Sequence, residues 1–214
     1  MDQPLKSIRK SIFPINFYQI NIKENDDLKT KFLDKIIRSY TENQIPPPSG
    51  WTTNKIHTSF GSDYMNNFVF SENDFPKELY YSYVNDYVMQ DDWVGVIPDF
   101  WYNCYIDGDH QERHNHCNPS TANPHFSAIH YLSFDKNRHE PVTFCDPLGA
   151  LRCLSVELER INNPNQFCPE IEEGDLIVFP SYLDHFVKPS IKTPDYPRVT
   201  LSFNFHIEMY GNQS

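Results

Sequence analysis

His114 and His116 are separated by one residue, and this spacing is the first feature of the sequence that could do chemistry. Residues i and i+2 of an extended chain project to the same face, so the pair can bring two imidazole nitrogens onto one metal ion. His185 is the best candidate for a third ligand, because it follows the apolar run Leu176–Phe179 and a Pro-Ser turn and so stands at the end of a predicted strand. Taken alone, the pair has an alternative interpretation as solvated loop histidines, since the chain has nine histidines.

A second feature is the alternating segment Arg198–His206 near the C-terminus. One side of this predicted strand is apolar and faces a core, whereas the other side carries a cation followed by hydroxyl and amide groups. A planar guanidinium beside a hydroxyl suits a carboxylate, because arginine can donate two parallel charge-assisted hydrogen bonds. The alternative is a surface ion pair worth at most about 1 kcal/mol. The order of a histidine pair, a strand with tyrosine, a lone histidine and an arginine favours a metal site with an organic-acid cosubstrate.

Short β-type runs begin after Trp93 and must position these residues. The strands are predicted at Phe100–Ile106, His125–Phe134, Val142–Cys145, Leu176–Pro180, His185–Val187 and Arg198–Ile207. Helices followed by strands predict an antiparallel barrel or sandwich that is backed by helices.

The N-terminal part predicts one strand and two helices. Ser11–Ile22 alternates loosely between apolar and polar residues, which is typical of an opening strand. Leu28–Tyr40 has apolar residues at helical spacing, with Asn25 as a candidate N-cap. A second helix is predicted from just after Pro76 to about Asp91.

The composition fits one domain with a core of its own. The chain has 214 residues, of which 39% are hydrophobic and 15% aromatic, and this length is usual for a single domain. We predict a single domain over residues 1–214, in which residues 1–92 provide a strand and helical support and residues 93–207 form the β core.

Charge and cysteine content limit the partners and the compartment. The net charge of −11 and the pI near 5.2 argue against general nucleic-acid binding, which needs a basic surface. No stretch approaches the roughly 20 apolar residues that cross a bilayer, and Met1–Ile22 lacks the apolar region of a secretory signal. Five cysteines without a C-x-x-C pair favour reduced thiols. We therefore expect a cytoplasmic protein without membrane partners, and the oligomeric state is left open.

The C-terminal half resembles the 2-oxoglutarate/iron(II)-dependent oxygenases, in particular a small prolyl-hydroxylase-like branch with an H-x-H metal motif. The similarity covers roughly Trp93 to Phe205 and is one of order and local pattern. Tyr105-Ile106-Asp107-Gly108 resembles the segment before the metal motif, His114-Asn115-His116 stands at the H-x-D/E position, and His130-Tyr131-Leu132 resembles the following strand. Gly174–Ser181 with His185 resembles the G-D-L-x-x-F segment before the distal histidine, and Arg198-Val199-Thr200 resembles the R-x-S/T that binds 2-oxoglutarate.

The resemblance implies a mainly β fold with flanking helices, namely a double-stranded β-helix of the jelly-roll or cupin-like type. It also implies a hydroxylase that uses Fe(II), 2-oxoglutarate and O2. Such an enzyme couples oxidative decarboxylation of 2-oxoglutarate to succinate with hydroxylation of a small-molecule or peptide substrate. No catalytic residue is expected beyond the metal centre.

The metal ligands implied by the resemblance are His114, His116 and His185. The usual triad is two histidines and a carboxylate, so His116 leaves a ferrous site one unit more positive. Asp109 and Glu112 are the alternative sources of a carboxylate, and a water molecule is another occupant of that place.

The resemblance implies that Arg198 binds the far carboxylate of 2-oxoglutarate and that Thr200 and Tyr131 assist it. Tyr105 is expected to contact the carboxylate nearer the metal. The expected pocket residues are Asn103, Trp101 and Asn204, with core packing as the alternative for Trp101.

Two other classes of function stay open at this point. A three-histidine cupin-like enzyme, either a thiol dioxygenase or a zinc hydrolase, also fits three neutral ligands and a water molecule. Arg198 distinguishes the oxygenase from these two enzymes, because neither of them needs an arginine on the last strand to bind the carboxylate of a cosubstrate. The third class is a non-enzymatic β-sandwich with a structural or carbohydrate-binding role, in which loss of His185 has no chemical effect.

Overall fold

A computed structural model of the protein describes residues 15–42, 56–60, 75–89, 93–106, 108–117, 123–149, 165–190 and 195–209. Residues 11–14 of the predicted opening strand and Asp107 of the turn segment lie outside the described residues. The elements in chain order are β1 (Tyr18–Asn21), α1 (Asn25–Thr41), β2 (His57–Thr58), α2 (Lys77–Tyr87), β3 (Trp93–Tyr105), β4 (Gln111–His114), β5 (Phe126–Ser133), β6 (Val142–Cys145), β7 (Gln166–Phe167), β8 (Asp175–Pro180), β9 (His185–Val187) and β10 (Arg198–Met209).

The strands form two antiparallel sheets. The larger sheet has six strands in the order β1-β8-β5-β10-β3-β2, and the smaller sheet has four in the order β4-β9-β6-β7. One buried cluster joins them, since Tyr131 and Phe179 of the larger sheet pack with Val142 and Phe144 of the smaller. The architecture is a double-stranded β-helix with flanking helices.

Strand β10 lies between β5 and β3, and its two faces have different roles. Its apolar residues pack in the core under the helices, where burial of each large side chain contributes about 1.5–3 kcal/mol. This core includes Val199, Leu201, Phe203 and Phe205 of β10, Phe32 and Ile36 of α1, and Tyr80 and Val84 of α2. The opposite face of β10 is also buried, although it is polar: it carries Arg198, Thr200, Ser202 and Asn204. The predicted alternation is confirmed, and the polar face lines the interior between the sheets.

The N-terminal part supplies both edges of the larger sheet. β1 pairs with β8, and β2 pairs with β3. The prediction of Asn25 as the N-cap of α1 is wrong, because Glu24 is the N-cap residue and has no side-chain capping bond. Asn25 is instead buried within the helix start, where its amide Nδ2 donates to the Leu132 carbonyl (3.5 Å). In the described part of the chain, neither helix combines the length and the apolarity that a membrane crossing requires.

Candidate metal and cosubstrate site

Three histidines from two paired segments of the smaller sheet meet at one point. β4 pairs with β9, and the register places His114 opposite His185. His116 follows β4, and its backbone N–H donates to the Ser181 carbonyl in the turn before β9 (3.0 Å). The ligand atoms of the three histidines all lie within 4.8 Å of one another. One metal ion can therefore bind all of them.

Each of these histidines directs its Nδ1 atom at an oxygen of a carbonyl or amide group. The pairs are His114 with the Glu112 carbonyl (2.8 Å), His116 with Asn204 Oδ1 (2.7 Å) and His185 with the Leu183 carbonyl (2.9 Å). Such oxygens only accept hydrogen bonds, so Nδ1 carries the proton and donates. The lone pair of each ring then lies on Nε2, which is the tautomer that a metal ligand needs.

Burial keeps the three imidazoles neutral. Burial, together with the neighbouring His114, lowers the pKa of His116 to about 4. Burial also lowers the pKa of His114 and lowers that of His185 well below its ordinary value. Metal binding requires unprotonated imidazole, so all three rings are ready to bind a cation at neutral pH.

The position expected for a carboxylate ligand is taken by His116. Among the described residues, the group that meets here holds three histidines and no acidic residue. Asp109 instead holds the turn before β4, where its Oδ2 accepts from the Ile106 backbone N–H (2.8 Å). Glu112 lines the cavity beside the histidines, and its negative charge favours the protonated form of His114. The geometry favours His116 over both acids as the ligand.

Asp184 ties the two histidine-bearing segments together on their outer side. Its Oδ2 accepts from Nε and Nη2 of Arg113 (3.0 and 2.8 Å), and its Oδ1 accepts from Nδ2 of Asn115 (2.8 Å). The hydrogen bond from Asn115 is the main cause that lowers the pKa of Asp184. Arg113 and Asn115 flank His114, whereas Asp184 precedes His185. A single carboxylate therefore holds both segments in register.

Replacing Asp184 by alanine should weaken metal binding roughly 10-fold, because residues that orient ligands through hydrogen bonds commonly contribute about 10–100-fold to metal affinity. Equilibrium competition for Co(II) measures this change. Glu172→Ala is the matched control, since Glu172 forms an exposed ion pair with Lys136 away from the histidines, and its Co(II) affinity should equal that of the unmodified protein. An unchanged affinity in Asp184→Ala would contradict the positioning role.

Arg198 lies on the inner face of β10 between two tyrosines. It is 1% exposed, and its Cζ lies 4.3 Å from the ring centroid of Tyr105 and 5.3 Å from that of Tyr131. No described residue accepts a hydrogen bond from its Nε or Nη1 atom, and none of the ion pairs among the described residues includes it. Burying a guanidinium without an anion is costly. This arrangement suits a ligand that brings a carboxylate.

The other expected cosubstrate residues lie in the same layer as Arg198. Thr200 is buried and stands opposite Asn103 of β3 and Tyr131 of β5 in the sheet register. The hydroxyl of Tyr131 accepts from the Val142 backbone N–H (3.1 Å). Burial raises the pKa of Tyr105 to about 12, so its hydroxyl is protonated at neutral pH and can donate.

A cavity of about 290 Å³ opens next to His114 and His116, and Trp101 and Asn204 are among the residues that line it. The Trp101 ring lies 5.5 Å from the ring of His116 and 5.0 Å from that of Phe60, which adds a second aromatic side chain to the wall. The third expected pocket residue, Asn103, does not line this cavity, and its buried Oδ1 has no hydrogen-bond partner among the described residues.

Besides Asp184 and Phe60, two further residues of the site were not predicted from the sequence. Ser127 Oγ lies 2.7 Å from His116 Nδ1 and donates to Asn204 Oδ1 (2.8 Å). Ser127 shares a strand face with Tyr131, so the period of two along β5 is a signal that could have found it. The second is Gln111, which contacts both Tyr105 and His114 and has no pattern of its own in the sequence.

The segment that carries these residues matches a known family. A family model described as a 2OG-Fe(II) oxygenase covers residues 99–204, a range that includes the three histidines and Arg198. Residues 99–204 of the chain belong to the 2-oxoglutarate/iron(II)-dependent oxygenase family. A sequence search of curated proteins finds no match to this oxygenase.

Solved structures show the same fold as this oxygenase at low sequence identity. It is similar to a Pseudomonas putida prolyl-4-hydroxylase, with a TM-score of 0.55 and 14% identity over 90% of this chain and 92% of that chain. It is similar to AviO1 from Streptomyces viridochromogenes, with a TM-score of 0.58 and 10% identity over 90% of each chain. It is also similar to HygX from Streptomyces hygroscopicus with nickel, 2-oxoglutarate and hygromycin B bound, with a TM-score of 0.54 and 12% identity over 90% of this chain and 83% of that chain. These comparisons confirm the predicted double-stranded β-helix.

The residues of the oxygenase fit the cofactors of its family, which are Fe(II) and 2-oxoglutarate with O2 as cosubstrate. Three imidazole Nε2 atoms form a donor set that suits Fe(II). The unpaired Nε and Nη1 atoms of Arg198 suit the far carboxylate of 2-oxoglutarate.

Proposed function

We propose that this oxygenase hydroxylates its substrate at a centre in which His114, His116 and His185 bind Fe(II) and Arg198 binds 2-oxoglutarate. The observation that carries the proposal is the buried Arg198 guanidinium, two of whose nitrogens have no hydrogen-bond partner among the described residues. It lies on the same strand face as Asn204, whose side chain accepts from His116. The geometry thus supports a cation site and an anion site in one interior.

When bound, Fe(II), 2-oxoglutarate and O2 supply an oxidation in which 2-oxoglutarate becomes succinate and CO2, and a substrate C–H bond becomes C–OH. The protein binds and orients these groups. The carbonyl and amide acceptors hold each imidazole in the tautomer that presents Nε2. Arg198 fixes one end of the cosubstrate, and its two flanking tyrosine rings keep water from the guanidinium. Thr200 and Tyr131 complete the clamp in this proposal.

The cavity next to His114 and His116 is the proposed substrate site. Its walls combine the aromatic pair Phe60 and Trp101 with polar residues that include Glu112. Such a lining can take either a small molecule or a peptide side chain, and we propose both as substrate classes. The four described cysteines are free thiols, which supports the proposed cytoplasmic setting.

The alternative of a zinc hydrolase or a thiol dioxygenase explains the three histidines equally well. It does not account for Arg198, because neither reaction needs a carboxylate from a cosubstrate. The orphaned guanidinium is therefore the feature that separates the proposed oxygenase from these two enzymes.

Anaerobic titration of the Fe(II)-loaded protein with 2-oxoglutarate tests the proposal. We expect a weak visible charge-transfer band, because chelation of Fe(II) by the keto oxygen and the adjacent carboxylate gives such an absorption. Succinate is the matched control, since it retains two carboxylates but lacks the keto group and should give no band. If 2-oxoglutarate also gives no band with the unmodified protein, the proposed function is wrong.

A further inference from the structure

Gln111 lies between Arg198, which is proposed to bind the far carboxylate, and the proposed metal ligand His114. It is buried at the start of β4. Its Oε1 accepts a hydrogen bond from the hydroxyl of Tyr105 (2.9 Å), and its Nε2 lies 3.3 Å from Nε2 of His114. Tyr105 in turn packs against the guanidinium of Arg198. One amide thus connects the two ends of the site.

The orientation of this amide is determined by its partners. The hydroxyl of Tyr105 is protonated at neutral pH because burial raises its pKa to about 12, so it donates to Oε1 and leaves the amide nitrogen facing His114. His114 Nδ1 carries the proton that is donated to the Glu112 carbonyl. His114 Nε2 therefore carries a lone pair, which accepts a hydrogen bond from the Gln111 amide N–H.

Metal binding changes the partner of this N–H group. A lone pair that coordinates a metal ion cannot also accept a hydrogen bond, so the Gln111 amide loses His114 Nε2 as its acceptor. A buried donor left without a partner is energetically unfavourable. The hydrogen bond from Tyr105 still holds the amide beside His114, so an oxygen atom of a ligand that coordinates the ion would provide a new acceptor.

We propose that Gln111 donates a hydrogen bond to the metal-bound end of 2-oxoglutarate and that Tyr105 orients Gln111 for this contact. The proposal rests on the proposed function, since it needs Fe(II) at the three histidines and the far carboxylate at Arg198. It gives the cosubstrate a donor at each end, with a cation at one end and a neutral amide at the other. It also assigns Tyr105 an indirect role, because the hydroxyl of Tyr105 contacts Gln111.

Gln111→Leu removes the donor, because it replaces the amide by an apolar side chain of similar bulk. We expect the dissociation constant for 2-oxoglutarate to rise roughly 10-fold, since one hydrogen bond to a charged group typically changes affinity by about this factor. The charge-transfer band of the Fe(II) protein under anaerobic conditions measures this constant without turnover. The band maximum should also shift, because the amide no longer polarises a metal-bound oxygen. Co(II) affinity without 2-oxoglutarate should not fall.

Gln19→Ala is the matched control. The Gln19 amide also donates two hydrogen bonds, to Asp175 Oδ2 (2.8 Å) and to the Glu170 carbonyl (2.9 Å), but it lies on β1 at the sheet edge. Its 2-oxoglutarate affinity should equal that of the unmodified protein. If Gln111→Leu binds 2-oxoglutarate as tightly as Gln19→Ala does, with the same band maximum, the proposed contact does not exist.

Tyr105→Phe tests the same contact, because it removes the hydroxyl that orients Gln111 while the Gln111 side chain itself is retained. If Tyr105 acts through Gln111, the double variant should bind 2-oxoglutarate no more weakly than Gln111→Leu alone. Additive losses would show that the hydroxyl contacts the cosubstrate directly, which overturns the orienting role. A missing band in the unmodified protein is a different result, because it rejects the oxygenase centre itself.

Discussion

Alanine at His185 should lower metal affinity by more than about 100-fold, because it removes a ligand rather than one of the outer groups whose loss typically costs about 10–100-fold. His114→Ala and His116→Ala should have the same effect, since the ligand atoms of all three lie within 4.8 Å of one another. Anaerobic equilibrium titration with Fe(II) or Co(II) measures the affinity. The result for His116 is the most informative, because this residue stands where the family pattern has a carboxylate.

Three further variants separate the ligand role from general damage. His125→Ala is the matched histidine control, because His125 is exposed and its Nδ1 accepts from the Ile207 backbone N–H (2.9 Å). Glu112→Gln should keep the metal, since Glu112 is not part of the histidine group. His116→Asp should also keep it, because a carboxylate at this place restores the common triad. Metal loss in Glu112→Gln together with retention in His116→Ala would make Glu112 the ligand and our assignment wrong.

The strands that hold the site were predictable where the alternation of apolar and polar residues is uninterrupted. Arg198–Ile207 is predicted and Arg198–Met209 is observed, because one face of β10 packs on the helices and the other lines the interior. β4 was not predicted, since the register between β4 and β9 shifts between Gln111 and His114 and breaks the period of two. β2 and β7 have only two residues each, so no period can be read from them.

The proposed ligands could be named from the sequence because their chemistry is uncommon and their order is informative. A histidine pair, a distal histidine and an arginine on the last strand define a metal site and an anion site before any contact is known. The supporting residues could not be found in this way. Asp184 acts through Arg113, which lies 71 positions away, and Gln111 acts through its position between Tyr105 and His114. Their side-chain types are common, so only the fold identifies them.

The energetics of Arg198 give the site an unusual balance between stability and binding. The side chain is 1% exposed, and two of its nitrogens lack a hydrogen-bond partner in the described part of the chain. In the absence of an anion, this charge is a cost to the folded state that the two tyrosine rings offset in part. A carboxylate that enters the site relieves that cost and forms charge-assisted hydrogen bonds. Binding of 2-oxoglutarate and stability are therefore coupled through this one residue.

Replacing Arg198 by methionine should raise the dissociation constant for 2-oxoglutarate by more than about 100-fold, because two hydrogen bonds to a charged group contribute roughly 3 kcal/mol or more.

The free energy of unfolding of Arg198→Met without cosubstrate should stay the same or rise by about 1–2 kcal/mol, since an uncompensated buried charge is removed. Leu201→Ala on the same strand is the control of opposite sign: Leu201 is fully buried, and its truncation should cost about 2–5 kcal/mol. Denaturant unfolding measures both values. In the unmodified protein, 2-oxoglutarate at 100 times its dissociation constant should add about 2.7 kcal/mol of stability, and in Arg198→Met the same concentration should add less than about 0.4 kcal/mol. A large loss of stability in Arg198→Met without cosubstrate would mean that Arg198 is a structural residue that the protein itself satisfies, and the anion site would then have to be placed elsewhere.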